Sequence, residues 1–174
     1  MRLAGRFGQH GLMPDVLWED IKEWFDPQEN GSAPDVCVAD SSVADWEAFL
    51  DLVRVEGWRV MYSAGADYTD RLPDRVEDVF VRTDDARARL VVWPDPGIEA
   101  VFRPVTVEEI RGDLDLYQLQ GQERLDALCR FLRTVGRRLG KPVTMTAEGD
   151  PGYPLIGYQV ESGTVEMLAG PWAG

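Results

Sequence analysis

Residues 35–62 read DVCVADSSVADWEAFLDLVRVEGWRVMY, and this stretch decides the fold. Its apolar run at residues 36–38 predicts a short buried strand. Ser42 precedes an apolar stripe at helical spacing that stops at Gly57, so we expect Ser42 to be the N-cap and Gly57 to end the helix. Residues 58–62 alternate as a second strand. The stretch therefore predicts a strand–helix–strand unit, for which a right-handed parallel crossover is one possible connection.

The segment before this unit has the spacing of an amphipathic helix. Over residues 15–25, apolar side chains recur every three or four positions, and acidic side chains fall between them. Asp26-Pro27 is expected to end this helix, because proline cannot continue it. Residues 28–34 contain Asn30-Gly31 and are predicted to form a polar loop.

The segments after the unit alternate between helical and strand patterns. The longest predicted helix covers residues 121–139, where one narrow apolar stripe includes Leu125, Leu128, Leu132 and Val135. The other predicted elements are a short helix at 73–80, a hairpin of strands 89–93 and 98–102, one helical turn at 105–110, a strand at 143–146, and a hairpin of 155–160 with 164–168.

This order of elements predicts an α+β fold. Helices and strands alternate irregularly with at least two hairpins, which favours a mixed or mainly antiparallel sheet with about four helices packed on it over a doubly wound parallel sheet. A chain of 174 residues is long enough for one domain with a sizeable core. We assign residues 13–169 to that domain and residues 1–12 and 170–174 to tails.

Few residues with reactive side chains are available for catalysis. The chain has two Cys and one His, and His10 lies in the expected N-terminal tail. Cys37 and Cys129 occupy apolar positions, so we expect two buried thiols that form neither a disulfide nor a nucleophile. These observations argue against a zinc site built from Cys and His, and no catalytic or cofactor-binding residues are predicted.

The net charge of −13 narrows the possible partners. Nucleic acids and membrane surfaces attract Lys and Arg, so neither is expected to bind this chain. No apolar run approaches the roughly 20 residues of a membrane span, and no secretory signal follows Arg2 and Arg6. The expected compartment is the cytoplasm.

Acidic residues are concentrated near the beginning of the chain. Residues 15–51 hold eleven Asp and Glu residues but only Lys22 as a base, a net charge of −10. Such a surface, with tryptophans beside it, is typical of an interface for a basic protein. An acidic face that only keeps the protein soluble is the alternative. The predicted partner-binding residues are Trp18, Glu19, Glu23, Asp26, Asp45, Glu47 and Asp51.

Two weaker patterns have functional and structural interpretations. Asp84-Asp85 together with Asp113 and Asp115 could hold Mg²⁺ or Ca²⁺, or could simply form the polar side of a half-buried strand. A basic stripe on the long helix, Arg130, Arg133, Arg137 and Lys141, could bind phosphate or an acidic partner. The same cations would also stabilise the helix C-terminus, or pair with the acidic N-terminal helix.

Two segments carry a resemblance to known proteins. One reads QLQGQERL at residues 118–125 and continues as GRRLGKPV at 136–143; the other includes Trp18-Glu19-Asp20, Asp45-Trp46 and Gly57-Trp58. Over about residues 13–168 the chain resembles small acidic actinobacterial proteins, and it is similar to single-domain immunity proteins that accompany secreted bacterial toxins. The resemblance assigns no role to individual residues.

The resemblance and the charge pattern together predict a non-enzymatic inhibitor. It would neutralise a cognate toxin that has a basic surface. Its acidic helices would occupy the position of the phosphate groups that such a toxin normally binds. Two alternatives remain: a structural or regulatory docking module of a larger complex, and a carboxylate-based metal-dependent enzyme.

Overall fold

The computed structural model describes residues 13–80, 82–83 and 86–170. Within these residues ten strands form one sheet in the order β10-β9-β8-β1-β7-β6-β5-β2-β3, and β4 pairs with β5. The strands are β1 Asp35–Ala39, β2 Arg59–Ala64, β3 Tyr68–Thr69, β4 Arg82–Thr83, β5 Ala86–Asp95, β6 Ile98–Phe102, β7 Glu109–Asp113, β8 Val143–Thr146, β9 Pro154–Gln159 and β10 Thr164–Met167.

Helices of very different lengths accompany the sheet. The α-helices are α1 Trp18–Ile21, α2 Pro27–Asn30, α3 Val43–Glu56 and α4 Gln122–Leu139. Three short 3₁₀ helices cover Lys22–Phe25, Val76–Phe80 and Leu116–Gln118. The predicted α+β class is therefore confirmed, with an antiparallel sheet.

Antiparallel pairing of every strand with its neighbours fixes the direction of the two long connections. β7 and β8 run parallel with β1 between them, so α4 is a crossover that spans one strand. β1 and β2 also run parallel, but β7, β6 and β5 lie between them. The strand–helix–strand unit predicted for residues 35–62 exists, but its strands are not neighbours in the sheet.

The core lies between one face of the sheet and the pair α3 and α4. From α3 the fully or almost fully buried side chains are Trp46, Phe49, Leu50 and Val53, and from α4 they are Leu125, Leu128, Leu132 and Val135. They pack with alternating strand residues such as Val36, Val38 and Ile110. The predicted apolar stripes of both helices are thus the buried stripes, except that Val43 is exposed and Leu139 only partly buried.

The ends of α3 are those predicted from the sequence. Ser42 accepts a hydrogen bond from the Asp45 amide, and the Asp45 carboxylate accepts from the Ser42 amide, which makes a capping box. Gly57 ends the helix at φ 66°, a left-handed conformation that glycine adopts without strain.

The helix predicted for residues 15–25 is shorter and irregular. α1 has no side-chain cap and gives way after one turn to the 3₁₀ helix at Lys22. Tertiary bonds hold the segment instead: the Trp18 amide donates to Gln122 Oε1 at 2.7 Å, and the Asn30 side chain donates to the Glu23 carbonyl at 2.8 Å. Residues 28–30, predicted as loop, belong to α2, which begins at Pro27 behind the Asp26 cap.

Strand pairing overrides local propensity at one further place. The helical turn predicted for residues 105–110 is wrong, because Glu109 and Ile110 belong to β7, where Ile110 lies opposite Val38 in the core. Residues 68–69 form the short edge strand β3 beside β2. The predicted tails at 1–12 and 171–174 lie outside the described residues, whereas Gly170 is described and partly exposed.

We predict that Gly136→Ala destabilises the protein. A Cβ at Gly136 would lie 2.0 Å from Tyr158 Cδ1, and that ring is buried on β9. Overpacking of this kind costs about 1–3 kcal/mol, which exceeds the gain of about 1 kcal/mol in helix propensity. Urea unfolding should show a lower midpoint.

The matched control is Thr134→Ala, two residues earlier on the same helix and half-buried. It changes helix propensity without adding volume, so its midpoint should be equal to or above that of the unchanged protein. A Gly136→Ala variant as stable as this control would contradict close packing of α4 on β9.

Candidate protein-binding surface

The predicted acidic residues divide into two groups in the fold. The first group lies along α1 and the residues after it: Glu19 is in α1, Glu23 is in the following 3₁₀ helix, and Asp26 precedes α2. The Trp18 amide bonds α1 to Gln122, the first residue of α4. The group on α3 begins at Asp45, whose carboxylate lies 2.9 Å from the ammonium of Lys141, just beyond the end of α4. Because 18 residues of α-helix span about 27 Å, the two groups are fastened near opposite ends of α4.

Carboxylates from later in the chain join the first group. Glu148 accepts a hydrogen bond from the Ser32 amide at 2.7 Å, and Tyr117 OH accepts one from the Gln28 side chain at 3.3 Å. These bonds place the loops that carry Asp115 and Asp150 beside α2 and the residues that follow it. We call the resulting surface the acidic end; its carboxylates are Glu19, Asp20, Glu23, Asp26, Glu29, Asp115, Glu148 and Asp150.

Not every carboxylate of the acidic end is available to a partner. Asp26 caps α2 through the Gln28 amide, and Glu19 pairs with Lys22, the one base of the segment. Glu23 and Glu29 are exposed and take part in no ion pair among the described residues. Glu23 and Glu29, like Asp20, which is also exposed and unpaired among the described residues, are therefore well placed to reach a cation on another protein.

Aromatic side chains lie within the acidic end. Tyr117 is 59% exposed, and the Trp24 indole N–H donates to Tyr153 OH at 3.1 Å. Trp18 packs edge-on against Phe25 with ring centroids 5.8 Å apart, and it lies half-buried against the core. Of the aromatic residues here, Tyr117 is the most accessible anchor, whereas Trp18 mainly supports the fold.

The second group has a mixed charge environment. Glu47 and Asp51 line a groove of about 330 Å³. Its other two carboxylates are those of Asp74, which precedes the 3₁₀ helix at Val76, and Glu77, which is within that helix. Arg54 pairs with Asp51 at 2.8 Å, and Arg75 lies 3.5 Å from Glu77, so two of the four carboxylates are offset.

Asp45 has a structural role in this group. Burial alone would raise the pKa of its carboxyl, but hydrogen bonds from Lys141 and Ser42 outweigh that effect and lower the pKa below its ordinary value of 3.8. Since its side chain is only 16% exposed and already has a cation beside it, Asp45 adds little negative potential outside the protein.

The predicted metal-binding carboxylates are not arranged as expected. Asp113 ends β7, whereas Asp115 caps the 3₁₀ helix at Leu116, so the two do not share a strand face. Asp84 and Asp85 lie outside the described residues. In the part of the chain that the structure covers, no group of three or more His, Cys, Asp or Glu side chains could hold a metal ion.

The sheet face away from α3 and α4 carries a compact charge network. Arg111 on β7 lies 3.1 Å from Glu109 and 3.5 Å from Asp35, and Asp113 pairs with Arg103. Burial raises the pKa of Asp35, a hydrogen bond to Asp113 raises it further, and Arg111 partly opposes both. The charges in this network are largely balanced within the fold.

Both cysteines are free, and their thiols are protonated at neutral pH. Cys129 is buried as predicted, and burial raises its pKa to about 12. Cys37 is only half-buried, contrary to the prediction, because it projects to the sheet face beside Arg111; desolvation still raises its pKa above 9.0. Neither side chain has the low pKa of a reactive cysteine.

No family model matches the chain, and no curated protein or solved structure is significantly similar to it. Among the described helices, none is long and apolar enough to cross a membrane.

We predict that Asp45→Asn lowers the free energy of unfolding by about 1 kcal/mol at pH 7, because it weakens the α3 cap and the bond to Lys141. A carboxyl whose pKa is lowered by folding stabilises the protein above its ordinary pKa and loses that contribution as the pH falls. The difference from the unchanged protein should therefore be constant between pH 7 and 5 and should shrink below about pH 4.

Urea unfolding at several pH values measures this difference. Asp51→Asn is the matched control on the same helix, since its pair with Arg54 is exposed and should contribute less than about 0.5 kcal/mol. An Asp45→Asn effect that persists unchanged at pH 3 would show that its charge is not the cause.

Proposed function

We propose that this chain is a non-enzymatic, immunity-type inhibitor that binds a cognate bacterial toxin with a basic surface. The observation that carries the proposal is the acidic end, where carboxylates from three separate parts of the chain lie close together. In the N-terminal part, residues 15–51, Lys22 is the only basic residue. Carboxylates that fold together from distant segments make a localised negative potential, which a basic partner recognises.

The acidic end also has the local composition of a binding surface. Glu23 and Glu29 are exposed and free of ion pairs among the described residues, so a partner's Lys or Arg need not break an internal salt bridge to reach them. Tyr117 is exposed beside them and offers an aromatic anchor of the kind enriched in interface hot spots. The free energy of binding would come from the aromatic contact, while the carboxylates speed association.

The acidic residues of α3 would act differently in this proposal. Asp45 is committed to the helix cap and Lys141, and Asp51 to Arg54. These residues shape the fold and its general negative field, and the partner would contact the acidic end. In this proposal the protein acts in the cytoplasm, on toxin that is made in or has entered the same cell.

We predict that the charge reversal Glu23→Lys with Glu29→Lys weakens capture of the partner about ten-fold or more, mainly through slower association. The immobilised chain would be exposed to an extract of the native host, and captured proteins would be identified by mass spectrometry. The retained partner should be basic, and raising the salt to about 0.5 M should release it.

The matched control is Glu56→Lys with Glu161→Lys, two exposed residues outside the acidic end with the same change in net charge. Capture of the partner by this control variant should fall far less than capture by the variant with Glu23 and Glu29 reversed. Equal weakening by both variants would mean that net charge rather than this surface attracts the partner, and the absence of any basic protein among those retained would rule out the proposal. Expression of the partner alone should arrest growth, and co-expression of this chain should restore it.

A further inference from the structure

The polar face of α4 forms one side of a positively charged groove. Arg130, Arg133 and Arg137 line it, the turn between β9 and β10 forms another side with Gly163 and Thr164, and the segment around Asp15 borders it. The groove holds about 440 Å³. Among the residues that the structure describes, its charged lining consists of three guanidinium groups and the carboxylates of Asp15 and Asp126.

The central arginine already holds a carboxylate from this chain. Arg133 pairs with Asp15, and the two side chains are only 27% and 16% exposed. Asp15 lies three residues before α1, in a segment without helix or strand. The groove therefore already binds a carboxylate carried by an irregular segment of backbone. The position of Asp15 marks where the carboxylate of a partner would bind.

Most N–H donors of the outer two arginines, Arg130 and Arg137, have no acceptor among the described residues. Arg130 is 62% exposed, and its nearest carboxylate, on Asp95, lies 3.9 Å away. Arg137 is exposed and donates one long hydrogen bond, of 3.4 Å, to the Gly163 carbonyl. Asp126 accepts a hydrogen bond from Gln122 at 2.8 Å, so its charge is partly engaged away from them.

We infer that this groove is a second binding site, which takes an acidic peptide segment of another protein. Arg130 and Arg137 are seven residues apart on α4, about 10 Å along the axis, and acidic side chains on one face of an extended peptide recur about every 7 Å, a spacing that the long and flexible arginine side chains can follow. The planar guanidinium fork binds a carboxylate through two parallel bonds. The incoming segment displaces Asp15 from Arg133, and the site is independent of the acidic end.

The test uses the full chain and a defined probe, an acetylated and amidated octapeptide in which Glu alternates with Ser. Its affinity would be measured by calorimetry at low salt, with the Gln-for-Glu peptide as the uncharged comparison. Asp15→Asn should bind the acidic peptide about five-fold more tightly, because it removes the internal competitor. Arg137→Ala should bind it about ten-fold more weakly, as expected for a lost charge-assisted hydrogen bond.

Two matched controls separate the groove from overall charge. Arg138→Ala removes a neighbouring exposed arginine that does not line the groove, and Asp20→Asn removes an exposed carboxylate elsewhere. Both should leave the affinity within about two-fold of the unchanged protein. Far-ultraviolet circular dichroism and thermal unfolding would verify that all four variants are folded.

Several results would overturn the inference. Absence of binding even to Asp15→Asn, or equal losses in Arg137→Ala and Arg138→Ala, would remove the groove as a site. Tighter binding of inorganic phosphate than of the peptide would assign it to a different ligand class. Concentration-dependent dimerisation that Arg137→Ala abolishes would identify the occupant as a second copy of this chain.

Discussion

The burial of one apolar stripe of α4 against the sheet is the constraint on which the other features depend. Leu125, Leu128 and Leu132 are completely buried, and each contributes roughly 2 kcal/mol through the hydrophobic effect. At the end of the stripe the backbone of Gly136 lies directly against the Tyr158 ring. Because α4 also connects β7 with β8 across β1, its position fixes the centre of the sheet.

This position of α4 determines how charge is distributed over the molecule. Burial of the leucine stripe directs the arginines of the opposite helix face toward the turn between β9 and β10. The first residue of α4 holds α1, and the residue two positions after its end holds Asp45. The acidic residues that are crowded together in residues 15–51 are consequently separated in space, and the basic side chains lie together.

The elements that the sequence predicted well are those with strong local signals. Ser42 and Gly57 mark the two ends of α3, and the apolar stripe predicts α4. The turn at residues 94–97, rich in proline and glycine, predicts the β5–β6 hairpin. The strand order was not predictable, because the pairing of β1 with β7 joins residues 70 to 78 positions apart. The same limit applies to the acidic end, since Glu148 reaches the Ser32 amide across 116 residues.

A net charge of −13 describes this protein poorly, because partners respond to local potential. At physiological ionic strength the potential of an exposed charge decays over about 8 Å. Arg133 lies eleven residues beyond Gln122 on α4, about 16 Å along the axis, so the acidic end and the basic groove are screened from each other. One small scaffold therefore presents two surfaces of opposite sign.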